Sequence, residues 1–275
     1  MSAERWALIL GVSSGAGAAI SRALAVDPGL NVIGIHRGNH PDGVRAVGEA
    51  VVAAGRRFEV LVGDAGKADT IPPLADAVRE ITGEGGVHIV VHAIANASIG
   101  YLAKQEPFIH PKQIQKTFES MAHSFVYWTQ ELIRHNAIGP GSRILALDNA
   151  VNENVLSNLG TIAASKAALE SYVKYLAWDL RERGIRVNAL KYGTVETAAL
   201  QHIFPADVWT HARDLHHEMF AAGRMVTLEE VGGMVSVLAG EKGAWFNSAI
   251  IDFTGGQMHA IYQQLMDRHL ASVER

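Results

Sequence analysis

The stretch Leu159–Asn188, LGTIAASKAALESYVKYLAWDLRERGIRVN, decides how the rest of the chain is read. Leu169, Val173, Leu176 and Leu180 recur at helical spacing among alanines, so the segment has an apolar face. Arg181 and Arg183 give the basic last turn that suits a helix C-terminus, and Gly184 stops it. Ile185, Val187, Ala189 and Leu190 then begin a buried strand.

Outward from this unit the chain alternates strand and helix. Strands are predicted at Trp6–Leu10, Asn31–Ile35, Phe58–Val62, Val87–Ala93, Arg143–Leu147 and Ile185–Leu190, with a last one at Ser248–Asp252. Helices are predicted at Ala18–Val26, Val44–Ala54, Ile71–Ile81, Lys112–Asn136, the quoted segment, and Leu228–Ala239. The pattern is that of an α/β fold with a parallel sheet of about seven strands and helices on both faces. Residues 1–275 read as one domain, since the chain shows no repeat or linker and its 275 residues suit one large core.

Composition sets outer limits. Hydrophobic residues make up 48% and charged residues 19%, an ordinary globular balance. There is no cysteine, which excludes disulfides and thiolate chemistry and agrees with a cytoplasmic setting. A net charge of −4 gives no general attraction to nucleic acid. No apolar run is long enough for a membrane span, and Trp6–Val12 is too short for a signal sequence.

Gly11-Val-Ser13-Ser14-Gly15-Ala-Gly17 follows the first strand and opens a helix. Glycines there permit a sharp turn and let the backbone approach a pyrophosphate at the positive helix end. Ser13 and Ser14 add donors. An acidic residue that would bind a ribose 2′-hydroxyl is expected about 20 residues further on. The second strand ends instead in His36-Arg37, and a guanidinium suits a 2′-phosphate, so NADP(H) is the expected cofactor.

SKAALES…YLAWDLRERGIRVNAL, with the G-xxx-G-x-G loop, resembles the short-chain dehydrogenase/reductases, a doubly wound Rossmann family. The resemblance is closest to the branch that contains enoyl-acyl-carrier-protein reductases; His92-Ala93-Ile-Ala-Asn96 is similar to that branch's version of the fourth strand end. It implies that Lys166 holds the nicotinamide ribose, that Asp64 and Ala93 border the adenosine side, and that Thr197 and the Val195 backbone hold the carboxamide. It also implies a homotetramer built on the long helices. Phe125, Trp128, Tyr172, Tyr175 and Trp178 are more aromatic residues than those helices need for their own packing.

The family's tyrosine acid is missing. Most members carry it four residues before the lysine, where this chain has Ile162; enoyl reductases carry it seven before, where it has Leu159. Asn149 takes the place of a second hydroxyl residue and Met121 that of a structural asparagine. Tyr192, at the end of the sixth strand, is the candidate replacement donor, with Tyr101 the other phenol in reach; for both, packing is an equal reading. The resemblance therefore implies NADPH-dependent reduction of an enoyl thioester, carried on coenzyme A or an acyl carrier protein. A catalytically degenerate cofactor-binding protein and a carbonyl reductase are the alternatives. Residues 198–224 stand where the family keeps a substrate lid, with Phe204, Trp209, Leu215, Met219 and Phe220 as candidate acyl contacts. The spacing of His211, His216 and His217, near His202, has no companion acidic cluster of a known metal-binding type, so a partly solvated helix is the favoured reading and no metal is expected.

Overall fold

A computed structural model describes residues 4–153, 155–197, 200, 207–257, 259 and 261–273. Seven parallel strands form one sheet in the order β3-β2-β1-β4-β5-β6-β7. They are β1 (Trp6–Leu10), β2 (Asn31–His36), β3 (Phe58–Val62), β4 (Val87–His92), β5 (Arg143–Asn149), β6 (Arg186–Tyr192) and β7 (Ile250–Phe253). Every residue of β1, WALIL, is buried. An all-apolar strand is what a parallel sheet covered on both faces requires.

The helices between them are α1 (Gly15–Val26), α2 (Pro41–Ala53), α3 (Ile71–Thr82), α4 (Pro111–Phe118), α5 (Ser124–Arg134) and α6 (Gly160–Asp179). Three more follow: α7 (Trp209–Met219), α8 (Leu228–Ala239) and α9 (Ile261–Val273). On one face α1, α2 and α8 pack Ile20, Leu24, Val47, Val51, Val231 and Val235 against Ile9 and Val91. On the other, α3, α5 and α6 pack Ile71, Val78, Phe125, Trp128, Leu169 and Val173 against Leu8 and Val90. The strand order reverses between β1 and β4, so the crevice at the C-terminal ends of these strands is where such a sheet binds ligands.

The differences from the predicted elements have local causes. The predicted helix Lys112–Asn136 is α4 and α5 joined by a π turn, Glu119–His123. Ser120 Oγ reaches Asn96 O at 2.6 Å as well as Lys116 O at 2.9 Å, and Ser124 Oγ reaches Ser120 O at 2.8 Å. Hydroxyls that bond backbone carbonyls in this way loosen the i→i−4 ladder. α6 stops at Asp179; a 3₁₀ turn, Arg181–Arg183, carries the chain to Gly184 in the left-handed region at φ +67°. β6 runs on to Tyr192 because Lys191 and Tyr192 pair with Asp148 and Asn149. β7 begins at Ile250, later than predicted, because Ser248 sits at φ +60° and bonds Val187 O. The polar tail after Gln257 holds α9, whose face was masked in the sequence by its many polar residues.

Of the five surplus aromatics, Phe125 and Trp128 are core residues. Trp128 Nε1 also donates to Ala65 O at 2.9 Å, tying α5 to the loop after β3. Tyr175 and Trp178 are the exposed ones, at 71% and 66%. Of the lid candidates, Phe204 and His202 lie outside the described residues. Phe220 is buried against the backbone of Gly193, where a Cβ would lie 2.5 Å from its ring.

Candidate active site

The glycine loop is shaped by close approach. Gly11 has φ +103°, and a Cβ there would meet Ala93 O at 2.7 Å. Its N–H and that of Val12 both donate to Ile35 O, at 3.0 and 3.2 Å, which pins the loop to the end of β2. A Cβ on Gly17 would come within 2.0 Å of Gly11 O. Gly15, at φ +56°, has open space where a Cβ would stand. It opens α1, and the Ser14 side chain makes no capping bond to the helix. Uncapped N–H groups, a positive helix end and an unfilled approach fit a pyrophosphate. Gly17, by contrast, serves packing between loop and strand.

These residues open into one cleft of about 490 Å³. Gly11, Ser13, Ser14, Gly15 and Ala93 line it. Arg37 and Asp64 border it, with His36, Asn39 and His40, which the sequence reading did not single out. Arg37 is exposed and makes no ion pair among the described residues. Asp64 Oδ1 accepts from Gly66 N at 3.0 Å, so the carboxylate shapes its own turn as it faces the cleft.

At the reaction end the cleft reaches Leu147, Asp148, Asn149, Lys166, Tyr192 and Thr197. Lys166 is 4% exposed, and its Nζ donates to Leu147 O at 2.6 Å. Burial pulls its ammonium pKa down, while Asp148 and Glu170 oppose that shift. Asn149 Oδ1 accepts from Val151 N at 3.2 Å, so this amide caps the turn after β5. Leu159 is buried at the start of α6, and Ile162 is half-buried one turn on. Neither can donate a proton. Tyr192 packs partly against the core and pairs with Phe253 on β7; burial first, then Asp148, pushes its phenol up to about 12.

The loop after β6 is braced on both sides. Gln257 Oε1 accepts from Thr194 N at 2.9 Å, and its Nε2 donates to Thr194 Oγ1 at 2.7 Å. Thr197 Oγ1 accepts from Leu200 N at 3.2 Å. Val195 is buried in the core and does not line the cleft with its side chain. His92 is a core histidine, bonded through Nε2 to Ser124 Oγ at 2.8 Å and edge-on to Phe125. Burial, with Lys166 nearby, lowers its pKa to about 3. Above the reaction end, Gly100 N bonds Asn158 O at 3.1 Å and Leu102 lies on Gly160. Exposed Leu102, Phe108, Val155 and Leu156 give these two loops an apolar surface.

The residue that sequence reading passed over is Asp148. It is 1% exposed, at the end of the apolar run Ile144–Leu147. A carboxylate closing a buried strand was the available signal.

The family model described as enoyl-(acyl carrier protein) reductase matches residues 11–258. A relative from Arabidopsis thaliana, described as an NADPH-dependent aldehyde reductase-like protein, chloroplastic, is 28% identical and covers 92% of this chain and 94% of its own. The 1-cyclohexenylcarbonyl-CoA reductase of Streptomyces collinus is 23% identical, covering 90% and 85%. Among solved structures, a short chain dehydrogenase from Burkholderia cenocepacia in complex with NADP superposes with a TM-score of 0.79 at 27% identity, covering 92% and 97%.

Proposed function

The chain belongs to the short-chain dehydrogenase/reductase family and is an NAD(P)H-dependent oxidoreductase of that type, and from this premise we propose that it reduces an enoyl thioester or related activated alkene with NADPH. The carrier of the thioester is coenzyme A or an acyl carrier protein. The observation that carries this reading is the reaction end itself. Lys166 faces the cleft, while Leu159 and Ile162 fill both places where the family's phenol would stand. Carbonyl reduction needs an acid at the alcohol oxygen. Addition to an activated alkene needs chiefly a group that stabilises a developing enolate. The description of the matching family model and the apolar loops above the cleft support the same substrate class.

When bound, the cofactor supplies a hydride. The chain's own residues do the rest. Gly15 and the uncapped start of α1 bind the pyrophosphate, with Ser13 and Ser14 as donors. Gly11 and Gly17 hold the turn that makes this approach possible. Asp64 and Ala93 border the adenosine half, Thr197 and the Val195 backbone orient the carboxamide, and Lys166 holds the ribose. Tyr192 donates a hydrogen bond to the substrate oxygen as charge develops there. We read residues 1–275 as a single domain of the cytoplasm, with residues 198–224 as a lid over the substrate. The test is NADPH oxidation against a panel of enoyl thioesters, ketones and aldehydes. Consumption confined to carbonyl substrates would replace this reading. No consumption at all, with NADPH still bound, favours a cofactor-binding protein without turnover, a reading that the absent phenol at both positions supports.

Arg37 is proposed to select the 2′-phosphate. Its exposed guanidinium borders the cleft and makes no ion pair among the described residues. Arg37→Asp should weaken NADPH binding by roughly 10–100-fold, the worth of one charge-assisted contact, and leave NADH binding equal or improved. Fluorescence titration of both nucleotides checks this; unchanged NADPH affinity in the variant would remove Arg37 from the site.

A homotetramer is proposed from the exposed Tyr175 and Trp178 of α6, although the Arg181 guanidinium lies over one face of the Trp178 ring at 4.0 Å. Light scattering at micromolar concentration should give four copies, and a monomer there would refute it.

A further inference from the structure

Asp148 and Glu170 form an unusual pair beneath the reaction end. Neither oxygen of Asp148 makes a well-formed hydrogen bond, although both are shielded from solvent; the backbone N–H of Asn149 is the donor at hand. A buried carboxylate in that condition is strongly disfavoured. The side chain adjoining it is a second carboxylate, Glu170 of α6. Glu170 is well supplied: Asn152 Nδ2 donates to it at 2.9 Å, and Lys191 Nζ lies 2.7 Å away. Lys191 also pairs with Glu153, in the turn after β5. The other ionisable groups at this end are Lys166 on α6, Tyr192 beside Lys191 on β6, and His92 on β4.

The arrangement decides which carboxyl carries a proton. Glu170 has donors and stays ionised. Asp148 has no side-chain donor, only the nearby Asn149 N–H, and gains a bond to Glu170 by protonation. Two adjacent carboxyls that share one proton are the stable state of such a pair. The electrostatics agree. Burial raises Asp148 to about 7 against the opposing charge of Lys166, and Glu170 raises it further. Burial also raises Glu170, but the bonds from Lys191 and Asn152 outweigh it and hold Glu170 low.

We propose that Asp148 and Glu170 hold a single proton between them, and that Asp148 is a positioning residue that keeps the Lys166 ammonium turned toward the cofactor. While Asp148 is neutral, Lys166 has no full counter-charge at ion-pair distance and spends one donor on Leu147 O. Its remaining donors serve the ribose. Once the pair loses its proton, an anion beside Lys166 competes for them. NADPH affinity therefore falls as pH rises through the range where Asp148 ionises. This rests on the reading of Lys166 as the ribose-binding group, but not on the substrate.

The experiment compares the parent chain with Asp148→Asn and Glu170→Gln. NADPH affinity is measured by fluorescence across neutrality, and carboxyl protonation by infrared difference spectroscopy without nucleotide. In the parent, affinity should drop by up to roughly tenfold per pH unit above about pH 7, and a protonated-carboxyl band should vanish over the same interval. Asp148→Asn, neutral and still a donor to Glu170, should bind tightly with no such drop and lack the band. Glu170→Gln removes the neighbouring charge, so the drop should move to lower pH. The same drop in Asp148→Asn, or no titrating band in the parent, overturns the shared proton. A band that titrates while affinity stays flat overturns the positioning role. If both follow the expectation and no enoyl thioester is reduced, the pair stands and the substrate reading falls.

Discussion

Replacing Lys166 with alanine is expected to weaken NADPH binding by roughly 10–100-fold and to slow turnover by a further ~10²-fold. The two effects come from different moments of the same ammonium. In the ground state it offers charge-assisted hydrogen bonds to the ribose; as the enolate forms it supplies positive charge from a side chain buried at the cleft. The fold should survive. Lys166 is buried with one backbone acceptor, Leu147 O, so its removal takes a desolvated charge out of the core. A thermal melt near that of the parent, together with fluorescence titration and steady-state rates, checks the prediction. Parent-like NADPH affinity in Lys166→Ala would mean that the lysine is structural despite its position in the cleft.

Tyr192→Phe is expected to split the two quantities that Lys166→Ala moves together. The ring packs against the core beside Phe253, and phenylalanine keeps that packing. NADPH affinity should therefore stay within a few-fold of the parent, while the rate on the true substrate falls by about 10²–10³, the usual cost of one oxyanion donor. The sign with pH is also set. Burial and then Asp148 push the phenol up to about 12, so it remains a donor through and well above neutrality. The ratio of parent to variant rates should accordingly be flat across that range. A variant that turns over like the parent would reduce Tyr192 to a packing residue and leave Tyr101 or solvent as the donor.

How much of this was legible beforehand depended on how local each cause is. β1 is a run of five apolar residues and the glycine loop has its spacing in seven, so both were readable in one short window. Lys166 was readable because its neighbours on the helix carry the family pattern. Asp148 was visible as a residue but not as a problem. What makes it one is the company of Glu170, 22 positions on, and of Lys191, which the sheet alone brings opposite it. Gly17 looked like a ligand-facing glycine because spacing cannot tell a Cβ excluded by a ligand from one excluded by Gly11 O. The split in the fourth predicted helix was hidden for a similar reason. Ser120 and Ser124 are ordinary helix residues until Asn96, from another loop, supplies an acceptor.

That π turn has a geometric meaning of its own. A wide turn is one residue inserted into a helix, and each residue of an α-helix advances the phase by about 100°. Phe125 and Trp128, after the insertion, face the sheet. Thr117, before it, turns its hydroxyl to Ser98 N at 3.0 Å, on the loop after β4. An uninterrupted helix would rotate one of these sets off its partner. Met121, at the middle of the turn, therefore reaches the cleft by virtue of an angular offset, and deleting a single residue between Glu119 and His123 would remove that offset, leaving an ordinary α-helix, one residue shorter, with Thr117 and Trp128 still on their partners and the cleft wall changed only at the bulge.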